Sequence, residues 1–372
     1  MKTIKVYLQY PWKFPDSSYY KYLVENPPQN VKYLNINNQK GAITNKKIFW
    51  FSNFIKKVVR QTFNFLNFSI PNAHLSPQGD YDLIHCCHCL SKNKDKPWVA
   101  DCEGVWQFYV GNKTKEAKER VRQILISKNC KKILAWTRAT AKDIIKEFPE
   151  IKNKVEVVYP AISVQEFNKN KNKKITILYA TRYFWLKGGI IALEVYKKLK
   201  EKYKNKIKLI FISDVPKKIK KKYFEIEIMD LVPQEKLFEY YKKSDIFFYP
   251  SFMDTFGFGL LEAMSFGLPI ITINTKYTKS RKEIIKNNKN GLVFDVEDSI
   301  TDKIINNKEK LIMGKDEIKI INKLFKNCCK LIENESLRIK LGKEGLKQIR
   351  FGKFSIKERN KKLEKIYEEA LK

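Results

Sequence analysis

Short β-branched runs alternate with helical spacing along most of this chain. Ile4–Leu8, Val31–Ile36, Leu83–Cys86, Lys132–Trp136 and Val155–Tyr159 read as strands. After Pro160 the polar stretch NKNKNKK (168–174) marks a linker or surface loop. The alternation restarts with Ile175–Tyr179, Leu209–Ser213, Ile246–Tyr249 and Ile270–Ile273. Helices fall between them; in Gly189–Tyr203 the residues Ala192, Val195, Tyr196 and Leu199 make one apolar face. Two such blocks predict an α/β chain with two parallel, doubly wound domains. Ligands of such sheets bind beyond the carboxyl ends of the strands. The tail Ser355–Lys372 reads as a lone helix with no strand after it, and no short repeat is evident.

Length agrees with two domains, since 372 residues is long for one core. Hydrophobic content of 43% and aromatic content of 13% exclude a disordered chain. The formal net charge of +34 is spread along the sequence, mostly as lysine. Such a field attracts nucleic acid, anionic lipid or phosphate-bearing substrates. Seven cysteines, two pairs of them adjacent (Cys86-Cys87 and Cys328-Cys329), lack the spacing of a disulfide framework and predict reduced thiols. The opening MKTIKVYLQYPWKF has too short an apolar core for a signal peptide. No uninterrupted apolar run of about eighteen residues predicts a transmembrane helix. The expected compartment is the cytoplasm.

The chemistry concentrates in PSFMDTFGFGLLEAMSFGLPIIT (250–272). Here Ile246–Tyr249 is the strand, Pro250–Gly257 the loop, and Phe258 to about Phe266 the helix, ended by Gly267 and Pro269. Asp254 falls on the loop and Glu262 on the early helical turns. Gly257 and Gly259 would let backbone N–H groups approach a ligand at the positive helix end. A dipole-favouring charge plus a solvated Glu would account for one acid and neither glycine. A second loop, ILYATRYFWLKGG (177–189), also runs from strand to helix and carries Arg182 and Lys187. Two cations on one loop can hold a diphosphate without a metal, Arg through its fork and Lys as a point charge. Donors for phosphate together with carboxylate acceptors for hydroxyls suit a nucleotide sugar.

These segments resemble the signature of glycosyltransferase family 4, as do DLVPQEKLFEYYKKSDIFFYPS (230–251) and KEIIKNNKNGLVF (282–294). The resemblance is specific over most of residues 155–300; the N-terminal half shares strand order and YDLIH (81–85). It implies a GT-B architecture: two Rossmann-like domains facing a central cleft, with the C-terminal helix returning to the first. The implied division is 1–160 for acceptor binding, 161–350 for the nucleotide-sugar donor, and 351–372 for the return helix. The implied activity is metal-independent, retaining, hexosyltransferase-type transfer, from a nucleotide sugar to a glycan or lipid-linked acceptor, without a cofactor. By position, Arg182 and Lys187 resemble the diphosphate clamp and Glu262 the acid on the nucleotide ribose. Asp254 stands where the family has Glu, the acid on the donor sugar, and is one methylene shorter. Phe256, Gly257 and Phe258 complete the donor loop.

The N-terminal half departs from the family pattern. The loop after the first strand, QYPWKFPDSSYYKY (9–22), has no glycine. KPWVADCEG (96–104) puts Glu103 about where the family has histidine, with Asp101 two residues before. Either acid could orient a hydroxyl, or be a solvated loop carboxylate. HCCHC (85–89), with Cys102, invites a zinc reading, yet strand alternation and the lack of a second cluster favour ordinary buried thiols. Residues 46–68, read as a helix, segregate Phe51, Phe54, Ile55, Val58, Phe65 and Leu66 from Asn53, Lys56, Lys57, Arg60 and Asn64. No acid occurs between Glu25 and Asp80. Two readings stay open: a peripheral anchor on the anionic cytoplasmic face of a membrane, or a helix packed on its sheet. A sugar-nucleotide epimerase or phosphorylase with the same clamp is the alternative function; donor isomerisation would mark the epimerase. A nucleic-acid-binding protein is suggested by charge alone, with no supporting motif.

Overall fold

The computed structural model describes residues 3–10, 18–36, 51, 54–55, 58, 61–62, 69–165, 174–307 and 313–372. The chain forms two compact units, one of residues 1–161 with 353–372 and the other of 162–352.

The first unit is built on a six-stranded parallel sheet in the order Val155–Val157, Cys130–Ala135, Trp98–Cys102, Leu83–Cys86, Ile4–Gln9, Val31–Leu34. The Val31 strand stops before Ile36 because Asn35 turns into the left-handed region at φ 60°. Trp98–Cys102 is a fully buried central strand that the β-branched runs did not mark, since alanine, aspartate and cysteine supply three of its five positions. Ile84, Cys86, Ala100 and Cys102 pack into the apolar cluster with Ala117, Val121 and Ile144. His85 and Asp101 take part instead in a buried polar chain. The His85 ring bonds Asp101 Oδ2 at 2.7 Å through Nε2 and the Tyr367 hydroxyl at 2.6 Å through Nδ1. Tyr19 donates to Asp101 Oδ1 at 3.0 Å, and the Tyr367 and Tyr33 hydroxyls meet at 3.1 Å. Tyr367 belongs to the helix Ile356–Ala370, which thus returns to the first unit as expected. Arg359 of that helix reaches the Asn26 carbonyl, and Asn30 reaches Glu364 at 3.1 Å.

The second unit holds another six-stranded parallel sheet: Ile228–Met229, Ile207–Ile212, Ile175–Ala180, Ile246–Tyr249, Ile270–Asn274, Gly291–Asp295. Ala192, Val195, Tyr196 and Leu199, the predicted apolar face of Gly189–Tyr203, are fully buried. The helices Lys315–Glu333 and Glu335–Arg350 complete the unit. Among the described residues no helix is long and apolar enough to cross a membrane.

Candidate functional site

The two loops singled out from sequence lie where the second sheet reverses its order. From Ile175–Ala180 the chain steps outward to Ile207–Ile212 and Ile228–Met229, then returns to the other side as Ile246–Tyr249. The strands at the reversal are neighbours, with Ile177 opposite Ile246 and Leu178 opposite Phe247. Such a reversal opens a crevice at the strands' carboxyl ends, where ligands of doubly wound sheets bind. Two helices begin there. Gly188 (φ 71°) precedes Gly189–Tyr203, and Gly257 (φ 101°) precedes Phe258–Ser265. Both positive φ values lie where glycine is favoured. The loops also touch: the Leu186 carbonyl accepts the N–H groups of Phe252 at 3.1 Å and Met253 at 3.3 Å.

The charged side chains of these loops form one cluster. Lys187 Nζ sits 3.0 Å from Asp254 Oδ1 and donates to the Met253 carbonyl at 2.8 Å. Asp254 Oδ2 accepts from the Tyr249 hydroxyl at 2.8 Å and lies 3.5 Å from Arg281 Nη2. Burial pushes the Asp254 carboxyl up, but the Lys187 and Arg281 charges outweigh it and hold the group below its ordinary value. Burial pulls the Lys187 ammonium down, and the attraction of Asp254 restores only part. Arg182, half-buried, lies close enough to add to that lowering, with its guanidinium 5.8 Å from the Tyr183 ring. Glu262 is 7% exposed and is met by Gln234 Nε2 at 3.2 Å and the Tyr241 hydroxyl at 3.4 Å.

Arg182, Lys187 and Asp254 therefore come together, and Glu262 follows Asp254 on the adjoining helix. The Phe256 ring is buried against Phe258 at 5.1 Å, leaving its backbone for any ligand contact. A Cβ at Gly259 would make ordinary contacts, 3.7 Å to the Tyr241 hydroxyl and 3.8 Å to Phe247, so the protein's own packing does not demand glycine.

In the first unit Glu103 follows Trp98–Cys102, half-buried, with its N–H bonded to Gln107 Oε1 at 2.5 Å and its carbonyl accepting from Thr140 at 3.0 Å. Asp101 is withdrawn from any role toward a hydroxyl, because it is buried and occupied by His85 and Tyr19. Burial holds the Cys86, Cys87 and Cys102 thiols well above their ordinary range. Among the described residues no group of three or more His, Cys, Asp or Glu could hold a metal ion.

Sequence reasoning missed Arg281. It stands in TKYTKSRKE (275–283), where three lysines flank it and no motif sets it apart. Only the fold shows that Arg281 is 1% exposed.

Residues 162–310, which hold the whole charged cluster, match the family model described as Glycosyl transferases group 1. A curated relative, the capsular polysaccharide biosynthesis glycosyltransferase CapH of Staphylococcus aureus, is 24% identical over 47% of this chain and 52% of its own length. The matches span 51% to 64% of the curated relatives' length. A glycosyltransferase from Rickettsia africae superposes over 100% of this chain and 99% of its own, with TM-score 0.61 and 15% identity. HepE of Anabaena, crystallised with UDP-glucose, covers 97% of this chain and 98% of its own at TM-score 0.57 and 12% identity. At such identities the likeness bears on the fold, an α/β GT-B fold of two Rossmann-like domains. On that fold, through residues 162–310, the chain carries a glycosyltransferase group 1 domain.

Proposed function

We propose that the chain is a retaining, hexosyltransferase-type enzyme that moves a sugar from a nucleotide-sugar donor to a glycan or lipid-linked acceptor. The observation that carries this is the cluster at the sheet reversal, where Lys187 and Arg281 face the single carboxylate of Asp254 between two helix N-termini. Such a surplus of positive charge suits a diphosphate. Breaking the anomeric C–O bond builds oxocarbenium character on the sugar and negative charge on the leaving diphosphate. Arg182 and Lys187 stabilise that developing charge without reorganising, and do so without a metal. Glu262 accepts the ribose hydroxyls. Asp254 keeps one acceptor site for a sugar hydroxyl, because about three of its roughly four lone-pair sites are engaged. Retention follows from acceptor attack on the leaving-group face; within the first unit, Glu103 is the candidate for orienting an acceptor hydroxyl. Donor and acceptor types are supported by HepE, crystallised with UDP-glucose, and by the capsular role in the name of CapH.

Calorimetry with a nucleoside diphosphate and with bare pyrophosphate tests the division of labour. Glu262→Gln should weaken the nucleoside diphosphate about tenfold, the size of one charge-assisted hydrogen bond, and leave pyrophosphate unchanged. Unchanged affinity for the nucleoside diphosphate would remove Glu262 from the ribose site.

The acceptor side is proposed to work at the cytoplasmic face of an anionic membrane. Phe51, Phe54, Ile55 and Val58 are helical and 44% to 59% exposed, which supports the peripheral reading. Lys56, Lys57 and Arg60 lie outside the described residues; the sequence, read with helical spacing, sets them apart from the aromatic stripe. Replacing all three with Gln should cost about 3 kcal/mol of binding to anionic vesicles, at about 1 kcal/mol per charge. Salt should weaken the parent's binding steeply. Cosedimentation of the triple variant equal to the parent's would end the membrane proposal.

A further inference from the structure

Arg281 is the third charge of the crevice, and no family motif quoted above includes it. It begins the short helix Arg281–Ile284. One terminal nitrogen, Nη1, donates to the Ser251 carbonyl at 2.8 Å and to the Ile273 carbonyl, tying the start of the 250–257 loop to the next strand. The other, Nη2, faces Asp254 at 3.5 Å, and the guanidinium lies 5.5 Å from the Tyr249 ring centre. Nε and Nη2 make no hydrogen bond among the described residues. An almost fully buried guanidinium with two uncommitted nitrogens is expensive unless a charge beside it compensates. Asp254 is that charge. Its two oxygens are divided, Oδ1 toward Lys187 and Oδ2 toward Tyr249 and Arg281.

We infer that Arg281 is a positioning residue of the donor site, holding Asp254 so that the carboxylate in turn fixes the Lys187 ammonium at the sheet reversal. This also gives the shorter acid a reason. An aspartate reaches less far than a glutamate, and here Tyr249 at 2.8 Å and Arg281 at 3.5 Å both come to its Oδ2. The inference rests on the donor reading for its purpose; the Arg281–Asp254 coupling does not depend on that reading.

The groups facing Asp254 are Lys187 from the first loop, Tyr249 from the strand and Arg281 from the short helix. The lowered midpoint of the folded carboxylate means that its stabilising contribution is present at neutral pH and lost as pH falls through that midpoint. Removing the Arg281 charge must raise the midpoint.

Two variants separate charge from packing. Arg281→Gln keeps a donor for the two carbonyls and removes the charge, whereas Arg281→Lys keeps the charge and loses the fork. The Asp254 carboxylate is followed against pH by NMR of the ¹³C-labelled side chain in the ligand-free protein. Arg281→Gln should raise the midpoint by about one pH unit or more, and Arg281→Lys should restore most of it. A midpoint equal in all three proteins would overturn the inference. In parallel, a panel of nucleoside diphosphates is titrated against the parent, Arg281→Gln, Asp254→Asn and the double variant. Arg281→Gln should weaken the diphosphate that binds the parent about tenfold, and add little in the Asp254→Asn background. Equal losses in both backgrounds would show that Arg281 acts without Asp254, also overturning the inference. If no diphosphate binds the parent, the donor reading fails, and the NMR midpoints still decide the coupling.

Discussion

Lys187→Ala and Arg182→Ala should each lower sugar transfer at least about a hundredfold, the usual loss when a group that stabilises developing charge is removed. The two losses have different companions. Arg182 is half-buried beside Tyr183, so its removal should cost less thermal stability than removal of the buried Lys187. Lys187 is paired at 3.0 Å with the buried Asp254. Its removal leaves that carboxylate with Tyr249 and Arg281, so the loss should fall short of the roughly 3–5 kcal/mol typical of breaking a buried pair outright. Steady-state kinetics with thermal unfolding measure both. Full transfer in either variant would detach that cation from the leaving group.

Gly188→Ala should be the most damaging glycine substitution near the site. Its φ of 71° costs an L-residue about 1–2 kcal/mol. The added Cβ would also stand 2.2 Å from the Pro250 carbonyl oxygen, a distance only backbone movement can relieve. The displaced neighbour is the loop that carries Asp254, so donor binding and stability should fall together. Gly259→Ala makes the contrast. With nearest contacts at 3.7 Å inside a helix, alanine there should be tolerated and could stabilise by up to about 1 kcal/mol. If Gly259 is present for the ligand, that variant stays folded and loses donor affinity. Denaturant unfolding with diphosphate titration distinguishes the two glycines, and a Gly188→Ala protein as stable as the parent would refute the steric argument.

Much of this architecture was legible because local signals agreed with the fold. The strand Ile246–Tyr249 and the helix Gly189–Tyr203 have the boundaries their patterns suggested, and Gly267 ends its helix in the left-handed region at φ 65°. Those segments combine periodicity with glycine and proline punctuation, each rooted in backbone sterics. What escaped depends on long-range burial. The Trp98–Cys102 strand has weak β character, and its place between two neighbours decides it. Asp101 was weighed as a loop acid beside Glu103, yet it joins His85, Tyr19 and, through His85, a tyrosine 266 residues further on. Arg281 sits in a run with three lysines, and charge type says nothing of which cation in such a run is buried. The clamp spacing of Arg182 and Lys187 was visible, but not the pairing of Lys187 with Asp254, because sequence gives no distance between two residues 67 positions apart on different loops.

The most direct measurement is calorimetric titration of nucleotide sugars carrying uridine, guanosine, thymidine, cytidine or adenosine, in EDTA, against the parent and Lys187→Ala. If the sheet reversal of the second unit is a metal-independent donor site, one nucleotide class saturates the parent in chelator. Lys187→Ala then weakens it at least about tenfold, as loss of a charge-assisted contact should. No binding by any class, binding that requires a divalent metal, or equal affinity in Lys187→Ala would contradict it.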